Sequence, residues 1–177
     1  MHFRYLSICL WVSAITCTNA TPSPSNEPDY PEVIPGPGLP SLESLGLTSA
    51  DLHRNRTMSK AFSDSAEFLV VCIAGGSTVS VGNAQACVNY LANLGTTDCG
   101  VPANPGVISF CVSGDASICG TNIWGNGQEV HSWCSDVAIS AQAIVNGCQV
   151  TSGQVEGYAP AAQNSNLQVD VEPLEIC

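Results

Sequence analysis

The sequence has 177 residues and is strongly acidic, with 15 aspartate and glutamate residues, four lysine and arginine residues, and a formal net charge of −11. From Thr57 onward ten acidic residues face a single base, Lys60, so that part of the chain carries a net charge of −9. The negative electrostatic field of this part of the chain repels nucleic acid and anionic lipid headgroups. The same residues also lack the cations that phosphoryl transfer needs. We therefore expect neither a nucleic-acid partner nor phosphoryl chemistry.

The first 20 residues have the three parts of a secretory signal peptide. Arg4 supplies the positive start, residues 5–15 form a short apolar run, and Thr18, Asn19 and Ala20 provide the small-residue exit. A membrane anchor is the alternative, but the run is shorter than the roughly 18 apolar residues of a membrane span. We expect cleavage after Ala20, secretion, and no stable membrane insertion.

Residues 21–60 are predicted to be a disordered arm or a pro-segment. Up to residue 40 the segment is rich in proline and serine and has no apolar period, so it cannot offset the entropy of folding. Residues 41–52 fit one or two weak helical turns. The basic run at residues 53–56 suggests a processing site, although an exposed linker explains it equally well. Asn55 begins an N-glycosylation sequon.

Eight cysteines remain after the signal peptide, and an even count in a small secreted chain predicts four disulfides. Their spacing leaves the pairing open. A zinc site does not fit, because no Cys-x-x-Cys pair occurs and His131 is the only histidine after residue 60. The predicted disulfide cysteines are Cys72, Cys87, Cys99, Cys111, Cys119, Cys134, Cys148 and Cys177.

After residue 60 the apolar pattern alternates between strand and helix periods. A helix is predicted over residues 84–94, with Asn83 as its N-cap, and a second helix over residues 130–145, with Trp133 on its apolar face. Strands are predicted at residues 68–73, 107–112 and 121–124, near residue 150, and at residues 155–159 and 167–171. This order predicts a single α+β domain over residues 61–177, in which two helices pack on a mostly antiparallel, disulfide-stapled sheet of about five strands.

Three side chains are candidate contacts for a partner. Trp124 lies beside a Gly-Asn-Gly turn, with a buried strand-end tryptophan as the alternative. His131 is a candidate pH-sensitive contact, or a plain solvated residue. Tyr158 is a candidate surface aromatic. Glu129 and Asp136 are seven residues apart on the predicted helix and could form a glycosidase pair, but Glu129 is equally explained as a first-turn acid that complements the helix dipole.

The last third of the chain has a distinctive order of features. A helix ends at Gly147 and Cys148, a glycine-containing strand turn covers residues 155–158, and an alternating strand at residues 166–171 precedes the terminal Cys177. In this respect the chain resembles the fungal killer-toxin and necrosis-inducing effector superfamily, which includes the killer toxin of smut fungi. The resemblance implies a secreted two-helix, five-strand α+β sandwich. The toxin is basic and this chain has no lysine after Lys60, so no functional residue is carried over.

These features predict a non-enzymatic, killer-toxin-like secreted effector that binds a protein or another surface component of a different cell. No catalytic residue, metal ligand or cofactor is predicted. One alternative is a fungal cell-wall or surface structural protein, which would share every compositional feature. The other is a small secreted hydrolase that uses Glu129, Asp136 or His131.

Overall fold

The computed structural model describes residues 29–54, 69–103, 106–174 and 177. The predicted signal peptide and the sequon at Asn55 lie outside these residues. In chain order the elements are β1 (Val33–Pro35), a 3₁₀ turn (Glu43–Leu45), α1 (Ser49–Arg54), β2 (Val71–Cys72), β3 (Val79–Ser80), α2 (Val81–Leu94), β4 (Val107–Ser113), β5 (Ala116–Asn122), α3 (Cys134–Gly147), β6 (Gln154–Val155), β7 (Gly157–Ala161) and β8 (Asn164–Pro173).

The main sheet has six antiparallel strands in the order β1-β4-β5-β8-β7-β2, and β3 pairs with β6 in a second, two-stranded sheet. At its centre β5 pairs with β8 from Ala116 opposite Pro173 to Asn122 opposite Leu167. Helices α2 and α3 pack on each other and on the central strands. The predicted α+β class is confirmed, with one more helix among the described residues and one more strand in the main sheet than expected.

Alternation along β8 separates the two faces of the main sheet. Leu167, Val169 and Val171 are fully buried and belong to the core beneath the helices. Because successive side chains of a strand point to opposite faces, Asp170 and Glu172 lie on the other side. The helix-facing side is therefore the hydrophobic core, and the opposite side carries acidic residues.

The N-terminal segment, residues 29–54, is an integral part of the domain. Its strand β1 pairs with β4, and Val33 and Leu52 are each 2% exposed. The prediction of a disordered arm over residues 21–60 is therefore wrong for this segment. Its apolar residues show no period because they are buried individually against α2 and β4 rather than along one face of a long helix or strand. Residues 21–28 and 55–60 lie outside the described part of the chain.

Hydrogen bonds also fix the N-terminal segment to α2. Asn89 is buried and donates from Nδ2 to the carbonyl oxygen of Leu52 at 2.7 Å. The hydroxyl of Tyr90 donates to the carbonyl oxygen of Pro40 at 2.7 Å. Burial raises the pKa of Tyr90 to about 12. Both acceptors are main-chain atoms, so hydrogen bonds from α2 fix the backbone of the segment in addition to the packing of its side chains.

Helix α3 begins at Cys134, four residues later than predicted. The run before it is extended, and Val130 and Trp133 form isolated bridges with Val101 and Asp98. The apolar spacing from residue 130 onward suits a helix, but the pairing with residues 98–101 prevails. Trp133 is 56% exposed, so the prediction that it lies in the core is wrong.

Three other predicted boundaries also differ. Strand β5 starts at Ala116, five residues before the predicted strand, because a stretch of small residues there is buried between β4 and β8. Helix α2 starts at Val81 with Ser80 at the N-cap position, so Asn83 is not the cap. Of the predicted first strand, the described residues form only the short strand Val71–Cys72, followed by a hydrogen bond from Ile73 N to Glu156 O at 3.3 Å.

The eight cysteines of the described residues form four disulfides, which confirms the disulfide-rich character. Such a density is typical of proteins that mature in an oxidising environment. Among the described residues, no helix has both the length and the apolarity to cross a membrane. The pairs are Cys72–Cys148, Cys87–Cys111, Cys99–Cys134 and Cys119–Cys177.

Candidate functional site

The candidate site is built where the loop after α2 runs beside the extended residues before α3. Cys99 N donates to Ser132 O at 2.8 Å, and Cys134 N donates to Thr97 O at 2.9 Å. The Cys99–Cys134 disulfide closes the same pair of segments. Two distant parts of the sequence are therefore held together by backbone hydrogen bonds and a covalent bond, which places Asp98 beside Trp133.

His131 lies between two carboxylates. Its Nδ1 is 2.9 Å from Asp98 Oδ2, and its Nε2 is 3.3 Å from Glu129 Oε1. The hydrogen bond to Asp98 raises the pKa of His131, and Glu129 adds to this increase against the opposing effect of burial. The side chain remains about half exposed, so the protonated imidazole is a surface cation with both nitrogens engaged.

A cleft of about 680 Å³ opens beside His131 and Asp98, and we call it the Trp133 cleft. Its volume is in the range of small-ligand sites. A second depression of about 300 Å³ shares Asp98 and His131 with it. The Trp133 cleft is lined by Asp98, His131, Ser132, Trp133, Asp136 and Gln163, together with Asn164.

Two polar side chains of the Trp133 cleft have unusual environments. Ser132 is 8% exposed, and its Oγ has no hydrogen-bond partner. Gln163, in the turn between β7 and β8, has φ of 68°, the one positive φ of a non-glycine residue in the described part of the chain. Asn164 beside it donates from Nδ2 to His131 O at 2.7 Å, which joins this turn to the histidine.

We expect Gln163→Gly to stabilise the fold by about 1 kcal/mol. A side chain at positive φ is strained by roughly 1–2 kcal/mol, and glycine removes this strain at a partly offsetting cost in unfolded-state entropy. Urea unfolding followed by circular dichroism measures the change. The matched control is Ala162→Gly in the same turn, where φ is not positive. That change should destabilise the fold, and equal effects of the two glycines would contradict the strain argument.

The three predicted partner contacts do not come together. His131 lines the Trp133 cleft, whereas Trp124 and Tyr158 are not among its lining residues. Trp124 is 41% exposed just after β5, so a fully buried strand-end position is excluded. Tyr158 is half-buried on β7, opposite Val71 and Asp170.

Sequence reasoning missed five residues of the Trp133 cleft, of which Trp133 and Asp98 are the most informative. The others are Ser132, Gln163 and Asn164. Trp133 and Asp98 each immediately precede one cysteine of the Cys99–Cys134 disulfide. Knowledge of that pairing would have placed the two side chains together, but cysteine spacing does not reveal pairing.

The predicted carboxylate pair is separated. Asp136 is in the first turn of α3 and lines the Trp133 cleft, whereas Glu129 precedes the helix and lines the smaller depression. Burial raises the pKa of Asp136. The prediction that both residues belong to one helix is wrong because α3 starts at Cys134.

A second group of acidic residues lies on the sheet face opposite the helices. Glu156 is 5% exposed with Oε2 unpartnered, while Asp170 accepts hydrogen bonds from Thr121 and Gln168. Burial, and then the neighbouring Asp170 and Glu156, raise the pKa of Glu172 to about 7. Glu172 also lies near Cys119 and Cys177, but these two sulfurs form a disulfide and supply no thiolate for a metal.

This acidic group predicts that stability falls as pH rises from about 4.5 to about 7. The folded state keeps a proton on Glu172 through that range, whereas the unfolded state, with the ordinary pKa of 4.5, releases it. We expect Glu172→Gln to reduce this slope and to raise stability at pH 7 by about 1 kcal/mol, after allowance for solvent screening of a half-exposed group.

The measurement is the urea midpoint of both proteins at a series of pH values. Glu43→Gln, at an exposed position of the 3₁₀ turn, is the matched control and should leave the wild-type slope unchanged. A Glu172→Gln variant that keeps the full slope would show that another group titrates.

Comparison with known proteins places this disulfide-stapled α+β domain in one family. A family model described as "Domain of unknown function (DUF8794)" matches residues 69–173, so the chain belongs to that family. The match includes every residue of the Trp133 cleft and leaves the N-terminal segment outside. No curated protein and no solved structure matches the chain.

Proposed function

We propose that the chain is a secreted, killer-toxin-like effector that binds a surface component of another cell and has no enzymatic activity. The observation that carries this proposal is Trp133, which is 56% exposed beside a polar cleft on a disulfide-fixed frame. Exposed tryptophans on rigid elements are typical anchors of recognition surfaces. The resemblance of the last third of the chain to the killer-toxin superfamily supports the same interpretation.

The charge and disulfide content also suit an extracellular binder. Four disulfides favour an oxidising destination, in agreement with the predicted signal peptide. From Thr57 onward the net charge of −9 disfavours binding to an anionic lipid surface by charge alone. A specific partner on the other cell is therefore the favoured target.

The geometry around His131 favours binding over hydrolysis. Both imidazole nitrogens face carboxylates, so neither is free to take a proton from a nucleophile. Glu129 and Asp136 line different depressions and do not flank one cleft as a glycosidase pair would. Neither arrangement supplies the Glu129–Asp136 glycosidase pair or the free histidine base that the hydrolase alternative would use.

The test is binding of fluorescently labelled protein to intact cells other than those that produce it. Saturable binding that unlabelled protein displaces, and that reduced and alkylated protein does not show, is the expected result. Retention of the native protein in the wall of the producing cells after washing would favour the structural alternative. Release of a hydrolysis product from the target cells, lost in Asp136→Asn, would favour the hydrolase.

A further inference from the structure

We propose that the Trp133 cleft binds a neutral saccharide chain, with the Trp133 ring as the stacking platform. The idea that saccharide binding is how the protein recognises another cell rests on the function proposed above. Saccharide binding by the cleft itself can be tested on the purified protein without any cell.

Trp133 is held in a way that suits stacking. Its backbone is fixed because its carbonyl oxygen accepts from Asp136 N at 2.9 Å and from Val137 N at 3.1 Å, at the start of α3. The Cys99–Cys134 disulfide adjoins it, and the residue remains 56% exposed. A large flat ring on a fixed backbone offers its face at a low entropic cost. The C–H face of a pyranose ring packs on such a surface.

The polar lining matches hydroxyl groups, which both donate and accept hydrogen bonds. Asp98 and Asp136 offer carboxylate acceptors, and Gln163 offers an amide that donates and accepts. Ser132 is the independent observation that points to a ligand, because its residue lines the cleft and its buried Oγ has no hydrogen-bond partner, so that rotation of the side chain would present a free hydroxyl to a bound molecule. Buried polar groups without partners are rare, and a bound polar molecule is one of their explanations.

Charge limits the kind of saccharide. Asp98, Asp136 and nearby Glu129 outnumber the single cation His131, so uronic-acid or sulfated chains are repelled. A basic peptide is the competing occupant. The saccharide is favoured because Ser132 Oγ, the buried group without a partner at this cleft, and the Gln163 amide are both neutral, and because His131 already engages Asp98.

The chain offers a direct optical test. Its three tryptophans are Trp11, which lies in the predicted signal peptide, Trp124 and Trp133. A secreted Trp124→Phe protein would therefore report fluorescence from Trp133 alone. We would titrate it with neutral oligosaccharides of glucose, of mannose and of N-acetylglucosamine, with polygalacturonate as the anionic control and a lysine-rich peptide as the competing ligand class.

At least one neutral oligosaccharide is expected to shift the Trp133 fluorescence saturably, and polygalacturonate is not. By calorimetry, Trp133→Ala should weaken that binding at least about tenfold, and Ser132→Ala and Gln163→Ala should weaken it less. Trp124→Ala is the matched control, an exposed tryptophan outside the cleft, and should bind like the wild type. Circular dichroism checks that each variant is folded.

The inference fails if no neutral oligosaccharide binds, if Trp124→Ala and Trp133→Ala lose binding equally, or if only the lysine-rich peptide binds. Competition on cells separates this failure from failure of the proposed function. Saturable cell binding that the free oligosaccharides do not displace would leave the effector function standing and overturn the saccharide site. Oligosaccharide binding in solution by a protein that binds no cell would support the site and overturn the effector function.

Discussion

Deleting residues 21–54 is expected to leave a chain that does not fold into a stable domain. The N-terminal segment contributes two fully buried side chains, Val33 and Leu52, and four partly buried leucines that pack on the core. Full burial of such a side chain stabilises a fold by roughly 1.5–3 kcal/mol. The combined loss exceeds about 5 kcal/mol, which is comparable to the whole stability of a typical domain.

Deletion also removes a buried hydrogen bond and a strand pairing from the remaining domain. Buried Asn89 loses the carbonyl acceptor that Leu52 provides, and β4 becomes the exposed edge of the main sheet. The loss of a buried hydrogen bond costs about 1 kcal/mol, and an open edge invites pairing between molecules. We therefore expect the truncated protein to aggregate or to be retained in the producing cell.

The measurement is the yield of secreted protein and its urea midpoint. Leu52→Ala is a milder change to the same segment and should lower the free energy of unfolding by about 3 kcal/mol. Ile34→Ala is the matched control, because Ile34 in β1 is 51% exposed, and it should lower the free energy of unfolding by less than about 0.5 kcal/mol. A truncated chain that is secreted with the wild-type midpoint would contradict this expectation and favour the predicted disordered arm or pro-segment. Residues 21–54 contain no cysteine, so only non-covalent contacts hold the segment.

The sequence predicted well those elements whose burial follows a regular period. The alternation of Leu167, Val169 and Val171 with polar residues predicts β8, and the apolar face of α2 predicts a helix. The N-terminal segment has no such period because its residues fill separate gaps on α2 and β4. Propensity and pattern describe an element by itself, so they miss one that is ordered only by its partner surface.

The candidate site was less predictable because its parts are distant in sequence. His131 is 33 residues from Asp98, and a lone histidine gives no sign of the carboxylate beside it. The spacing of Trp133 suited the apolar face of a helix, yet pairing with residue 98 keeps it extended and exposed. Both errors have one cause, which is that pairing between the two segments overrides the local helical pattern.

Removal of the Cys99–Cys134 or the Cys119–Cys177 disulfide should lower stability to a similar extent but should affect binding differently. The Cys99–Cys134 disulfide joins residues 35 apart in sequence and adjoins the Trp133 cleft. The Cys119–Cys177 disulfide joins residues 58 apart, and Cys119 lies opposite Asp170 on the sheet face away from the helices. In the chain-entropy model each contributes about 4 kcal/mol. Replacing either pair by alanine is therefore expected to lower the free energy of unfolding by a similar amount, measured by urea denaturation.

Binding distinguishes the two double variants. The C99A/C134A protein should lose both stability and the alignment of Asp98 with Trp133, so its oligosaccharide affinity should fall at least about tenfold under conditions where it remains folded. The C119A/C177A protein is the matched control and should keep the wild-type affinity despite its lower stability. Equal affinities in the two variants would mean that the backbone hydrogen bonds of Cys99 and Cys134 align the cleft without the disulfide. In that case the bond between the two sulfurs stabilises the fold but does not organise the site.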